Sequence, residues 1–211
     1  MTNGKVNVLL VEDDDMAARH LSSIVNGADG YQLRNVIECA SLAEAYCLAG
    51  GVDLILMDVC TALDASGVEA AIKIKKNMPH IKIIIVTSQL DADLVERAKA
   101  GNVDSFVYKL LPDDGILRAM DRTMGGEQVY PGEKPRVKLG NVWSSDIDWQ
   151  HMNVLRELVG GQSDEMIAST LHLSVNTVKK YIAELKADTG IQSRTRLAVQ
   201  AQKLGIVTYG Y

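Results

Sequence analysis

From residue 1 to about 126, short apolar runs alternate with stretches in which apolar residues recur every three or four positions. The runs are Val6–Val11, Gln32–Cys39, Leu54–Met57, Ile81–Val86 and Ser105–Tyr108. Three of them are nearly continuous in Val, Ile and Leu, which predicts strands buried on both faces. Helices are expected between them. Ser41-Leu-Ala-Glu44 and Ser66-Gly-Val-Glu69 both read as S-x-x-E capping boxes, so a helix should start at each. One of Asp13, Asp14 and Asp15 should cap the first helix. Pro112 suits the first turn of the last helix, and Gly125-Gly126 suits its end. Five β–α units in a row predict an α/β, doubly wound, five-stranded parallel sheet with helices on both faces.

The rhythm stops at about 127. Pro131, Gly132, Pro135 and Gly140 lie among charges over 127–147, which reads as a linker, with Val129, Tyr130, Val137 and Leu139 offering some apolar contact. From 148 to 211 there is no strand signal. Helices are expected near 148–159, 163–171, 174–188 and 193–204, with Ser163, Ser174 and Ser193 as N-caps and Gly190 as a stop. The expected domains are therefore 1–126, α/β, and 148–211, all-α.

Charge separates the same two regions. Over the whole chain the balance is −5. Residues 1–126 carry 12 Lys/Arg against 18 Asp/Glu, and 127–211 carry 10 against 9. Within 174–203, six basic residues face two acids, a local patch of the kind nucleic acids select. No apolar run approaches the roughly 20 residues needed to cross a bilayer. The start of the chain has no apolar stretch and cleavage site of a signal peptide. Cys39, Cys47 and Cys60 match no metal or redox spacing, so reduced thiols in the cytoplasm are expected.

In a parallel sheet, ligands bind at the carboxyl edge. Glu12 and Asp13 follow the first run, Asp58 the third, Thr87 ends the fourth, and Lys109 follows the fifth. Each alone reads as a cap or a loop residue; the coincidence of four strand ends points to a site. Neighbouring carboxylates repel unless a cation lies among them, and hard oxygen ligands suit Mg²⁺. A carboxylate can attack phosphorus to give an acyl phosphate. Thr87 could donate to a phosphoryl oxygen, and Lys109 could neutralise its charge.

Here the chain resembles the response-regulator receiver domain, which is flavodoxin-like. The resemblance lies in Val8-Leu-Leu-Val-Glu12-Asp13-Asp14, Asp53-Leu-Ile-Leu-Met-Asp58, Ile83-Ile-Ile-Val-Thr87-Ser88 and Phe106-Val-Tyr-Lys109. It implies that Asp58 accepts phosphate from a sensor histidine kinase. It implies that Asp13, Asp58 and the Cys60 carbonyl hold Mg²⁺, with Glu12 helping through water. Thr87 and Phe106 match the pair that moves on phosphorylation. Two departures stand out. Ala62 and Ser66 occupy positions where the family carries Pro and Gly, and the glycine, Gly67, comes one residue late. The loop after Asp58 is therefore expected to be longer or differently shaped. Leu110 and Leu111 also intervene between Lys109 and Pro112.

Residues 163–188 read as helix, turn, helix. Val175, Val178, Ile182 and Leu185 form one buried stripe, leaving Asn176, Lys179, Lys180 and Ala183 outward to suit a major groove. Thr177, Ser193, Arg194 and Thr195 are candidate phosphate contacts. This region resembles the DNA-binding domain of NarL/FixJ (LuxR-type) regulators, through Val154-Leu-Arg-Glu-Leu-Val-Gly-Gly161, Ile167-Ala168, Leu173-Ser174-Val-Asn-Thr-Val-Lys179 and Gly190-Ile-Gln-Ser-Arg194-Thr. It departs at Gln150-His151, Met166 and Tyr181. The family often dimerises through its last helix, where Leu197, Ala201 and Leu204 could serve contact or core.

The leading expectation is a two-component transcription regulator switched at Asp58. Its partners would be double-stranded DNA, a second copy of itself on that DNA, and RNA polymerase. One alternative is an atypical receiver that acts without phosphorylation. Another is a phosphohydrolase with an Asp nucleophile. Cys60 argues against it, standing where such enzymes carry a second acid, and so does the lack of a G-x-x-x-x-G-K-[ST] loop.

Overall fold

Strands form where the apolar runs lie. In the computed structural model they are β1 (Val6–Val11), β2 (Tyr31–Ile37), β3 (Leu54–Met57), two short strands β4 (Cys60–Thr61) and β5 (Ala65–Ser66), then β6 (Lys82–Thr87) and β7 (Ser105–Tyr108). The structure describes residues 4–132 and 136–207; Met1–Asn3, Glu133–Pro135 and Thr208–Tyr211 lie outside it. The sheet order is β2-β1-β3-β6-β7, all parallel. Every residue of β3 is buried, as are the last four of β1 and the last five of β6. Central strands covered by helices on both sides account for the unbroken apolar runs. β2 lies at the edge and has only its two ends buried, so its run is more polar.

The intervening helices are α1 (Asp15–Gly27), α2 (Ala43–Leu48), α3 (Gly67–Asn77), α4 (Ala92–Ala100) and α5 (Asp113–Met124). Asp14 caps α1 by accepting from the Ala17 amide at 2.8 Å. Ser66 caps α3 by accepting from the Glu69 amide at 3.2 Å. The expected box at Ser41 does not form. A 3-10 turn, Ala40–Leu42, takes up Ser41, and α2 starts at Ala43 with no side-chain cap. Glu44 instead accepts from Asn77 and pairs with Lys73 on α3, so a partner across the fold replaces the local one. Pro112 sits at the cap position of α5 rather than within its first turn.

The chain divides into two compact units, and its main break falls between Gly132 and Glu133. The region read as a linker carries backbone hydrogen bonds both before residue 132 and after residue 136. A hairpin, β8 (Lys138–Leu139) with β9 (Val142–Trp143), opens the second unit. Leu139 is fully buried in a core with Val154, Leu155, Val178, Ile182 and Leu197. Gly140, at φ +60°, turns the hairpin against α8: a Cβ there would lie 2.0 Å from the Thr189 carbonyl oxygen. Four helices follow, α6 (Trp149–Val159), α7 (Asp164–Leu171), α8 (Val175–Thr189) and α9 (Arg194–Lys203). Ser163, Ser174 and Ser193 each cap the helix that follows through the amide three residues on.

Candidate functional site

Strand register sets the acidic site. Val11 pairs with Met57, and Met57 with Ile85, so β1 and β3 end level while β6 runs two residues further, to Thr87. The Asp58 amide donates to the Val11 carbonyl at 2.9 Å, which puts Glu12 beside Asp58. Glu12, Asp13 and Asp58 each offer an oxygen, and these lie within 4.8 Å of one another. Glu12 and Asp58 are buried, while Asp13 faces water. Lys109 closes the set. Its ammonium is 2.9 Å from Asp58 Oδ2 and 2.5 Å from Glu12 Oε2. Asp58 Oδ1 accepts from the Val59 amide at 2.7 Å, and Glu12 Oε1 from the Asp14 amide at 3.2 Å.

Three carboxylates gather here with one ammonium, which touches two of them, so negative charge is in excess. Burial first, and then the Asp58 charge, push the Glu12 carboxyl up to about 7 despite Lys109. Burial works against the charge on Lys109, but contact with Asp58 and Glu12 outweighs it and raises its pKa. A divalent cation among these oxygens would relieve the excess. Asp13, the exposed member, and Asp58 are the residues that would hold it, with Glu12 behind them. The donor set is all oxygen and fits Mg²⁺.

The loop after Asp58 absorbs one extra residue away from the carboxylates. β4 and β5 pair antiparallel, Cys60 with Ser66 and Thr61 with Ala65. Between them a 3-10 turn carries Leu63 in the left-handed region, at φ 62°, with 90 % of its surface exposed. The chain then returns so closely that a Cβ on Gly67 would lie 1.7 Å from the Asp58 carbonyl oxygen. Only glycine fits that approach. Cys60 opens this ladder, two residues beyond Asp58. Thr87 and Phe106 are both fully buried, and Phe106 meets the edge of the Tyr108 ring at 5.7 Å. The Lys109 amide donates to the Thr87 carbonyl at 2.8 Å, so β6 and β7 deliver their polar ends together.

In the second unit, α7 ends at His172, in the left-handed conformation (φ 54°), and α8 starts after the Ser174 cap. Val178, Ile182 and Leu185 are buried, while Asn176, Lys179, Lys180 and Ala183 are exposed on the other face. Thr177 is half-buried, with its hydroxyl 2.8 Å from that of Ser174. Arg194 begins α9. It pairs with Asp164 and donates to the Gln162 carbonyl at 2.6 Å, bracing the start of α9 against the start of α7. Leu197 and Ala201 are fully buried core, while Val199 and Leu204 are exposed apolar residues. Gln150, His151 and Tyr181 touch one another. Tyr181 donates to Gln150 at 2.6 Å, and His151 packs on the Tyr181 ring while lying between Asp148 and Glu184.

Residues 8–121 match the response regulator receiver domain family, and residues 150–201 match the bacterial regulatory proteins of the luxR family. The chain is a response regulator of the LuxR type. The response regulator protein VraR of Staphylococcus aureus is 32 % identical over 203 residues, covering 93 % of this chain and 96 % of VraR. Among solved structures, the response regulator ChrA of a heme-sensing two-component system covers 96 % of this chain and 99 % of its own, at 20 % identity and TM-score 0.53. A structure of two RcsB dimers bound to two parallel DNAs covers 94 % and 98 %, at 14 % identity and TM-score 0.60. At those identities the solved structures speak for the fold alone.

The structure of this response regulator brings together all the acids singled out in the sequence, with Lys109 among them. One contributor to the acidic site went unnoticed in the sequence, the Val59 amide, which leaves no side-chain signal. Gly67 stood out by its displaced position, but its close approach to the Asp58 carbonyl did not. Among the described residues, no helix is long and apolar enough to cross a membrane.

Proposed function

We propose that this response regulator is switched by phosphoryl transfer to Asp58 and acts on transcription through α8. The observation that carries the reading is the Lys109 ammonium, held between Asp58 and Glu12 with Asp13 alongside. A carboxylate oxygen of Asp58 attacks the phosphorus of a phosphohistidine on a sensor kinase. The P–N bond breaks as the acyl phosphate P–O bond forms. Lys109 neutralises charge on the transferred group, and Thr87 donates to one of its oxygens. Asp13, Asp58 and the Cys60 carbonyl, with Glu12 behind, would hold Mg²⁺, which would screen the charge that the incoming phosphate adds. Thr87 and Phe106 then change position and shift the receiver population. The first domain runs to about 132 and the second starts at about 136.

Asn176, Lys179 and Lys180 enter the major groove, and Thr177 lies at the phosphate-facing start of the helix. Arg194, which braces α7 and α9, also contacts a DNA phosphate. The regulator binds as a pair on two half-sites, in the cytoplasm, and RNA polymerase is its downstream partner. It is not an enzyme in its own right.

Acetyl phosphate with Mg²⁺ should add one phosphoryl group to the protein by intact mass, and Asp58→Asn should remove that gain. Labelling that persists in Asp58→Asn sinks the assignment. The extra residue in the loop after Asp58 supports a second reading, an atypical receiver. DNA affinity unmoved by phosphorylation would favour it, and turnover of small phosphate esters would favour a phosphohydrolase.

A further inference from the structure

The chain leaves α5 and returns along the open edge of the sheet. β7 is the last strand in the order β2-β1-β3-β6-β7, so its outer edge has no strand partner. Residues 127–130 lie along it. The Phe106 amide donates to the Val129 carbonyl at 2.8 Å. The Val129 amide donates to the Ser105 hydroxyl at 3.0 Å. That hydroxyl is 2.7 Å from the Thr123 hydroxyl, which donates to the Ala119 carbonyl on α5. The Tyr130 hydroxyl donates to the Val103 carbonyl at 2.7 Å, and the Lys99 ammonium of α4 lies 5.3 Å from the Tyr130 ring centre. Glu127 is tied back to Arg122, by its amide at 2.9 Å and its carboxylate at 2.8 Å. Val129 packs on the core of the sheet.

This segment is therefore fastened at each end and in the middle, and its middle holds the backbone of Phe106. The same strand is joined to the acidic site. Lys109 touches Asp58, the Lys109 amide holds Thr87, and Thr87 pairs in register with Tyr108. If the β7 backbone shifts together with Thr87 and Phe106, the Phe106 amide moves against its bond to Val129. Buried backbone groups are seldom left unpaired, so the strap must follow or let go.

We propose that residues 127–130 are a strap that senses the state of the acidic site through the Phe106 amide, with Ser105 and Tyr130 as its positioning residues. The proposal rests on the reading of Asp58 as phosphoacceptor and of Thr87 and Phe106 as the moving pair. Glu127–Tyr130 is also the stretch by which the chain leaves the receiver, so loosening it changes the first residues leading to the DNA-binding half.

Hydrogen exchange on the full chain tests this, with Mg²⁺ alone and with Mg²⁺ and beryllofluoride. Exchange at 127–130 and at the Phe106 amide should rise about tenfold on beryllofluoride, while residues 58–67 become protected. Protection at 58–67 with no change at 127–130 would overturn the strap and leave the phosphoacceptor reading standing. No change at either place would overturn both. Coupling is reciprocal, so a loosened strap should favour the switched state. Ser105→Ala should bind beryllofluoride several-fold more tightly than the wild type. Tyr130→Phe, at the rim of the same contacts, should do so to a smaller degree and serves if Ser105→Ala does not fold. Unchanged or weaker binding in the folded variant counts against the proposal, because a purely structural role predicts a change in melting temperature alone.

Discussion

Lysines are used in opposite ways by the two halves of this response regulator. Lys109 is 17 % exposed and lies against two carboxylates, one of them 1 % exposed. Lys180 is 69 % exposed, and its recorded acidic partner, Glu184, is 3.7 Å away. The first lysine is desolvated and fixed, so its field is strong and ready for an incoming phosphoryl group. The second is solvated and loosely held, so its attraction for phosphate depends on counterions it can release. A buried cluster of this kind should answer mainly to pH and to packing. An exposed face should answer mainly to salt.

The strongest way to break the contrast is to crowd the acidic site without touching a charge. Gly67→Ala places a methyl against the Asp58 carbonyl, where a Cβ would lie at 1.7 Å. It should cost about 1–3 kcal/mol of receiver stability by urea unfolding. It should also remove most phosphoryl incorporation, while DNA affinity of unphosphorylated protein stays as it was. Next in size, Lys179→Ala should weaken DNA binding and lower the slope of log affinity against log salt by about 0.9, with phosphorylation unaffected. A titration at several salt concentrations separates that outcome from a lost base contact, which would leave the slope alone.

A smaller effect concerns pH. Glu12 has a folded pKa of about 7 against an ordinary 4.5. The folded state therefore holds this proton more tightly than the unfolded state does. Its contribution to stability is complete below about 4.5 and is lost as pH rises through about 7. Without Mg²⁺, wild-type receiver stability should fall more steeply from pH 5 to pH 8 than that of Glu12→Gln, compared by urea unfolding in a chelator. Equal slopes in the two proteins would refute burial as the cause. The smallest effect expected is that of Ser41→Ala, within about 0.5 kcal/mol, because Ser41 caps no helix. A larger loss would restore the capping reading.

Much of the fold was legible because the central strands are buried on both faces and need unbroken apolar runs. β1, β3 and β7 were placed to the residue. The acidic site was legible for a related reason: in a parallel sheet, a residue that directly follows a strand is at a known edge. What the sequence hid depends on partners far along the chain. Ser41-Leu-Ala-Glu44 has the local pattern of a cap, but Glu44 answers to Lys73 and Asn77. Arg194 stood out as a cation, but its pairing with Asp164, 30 residues before it, and with the Gln162 carbonyl, 32 before it, did not show. Leu197 and Ala201 could have been surface or core, and only packing against α6 and α8 decides it. β8 and β9 have two residues each, too few to show any alternation.

That last hairpin changes where a cut should fall. The run of expected helices begins at Asp148, and a fragment made from those helices alone would start there. Such a fragment discards Leu139 from the middle of its own core and bares the Thr189 end of α8, where Asn141 donates at 3.0 Å. The functional piece that can be lifted out and studied alone starts upstream of Arg136.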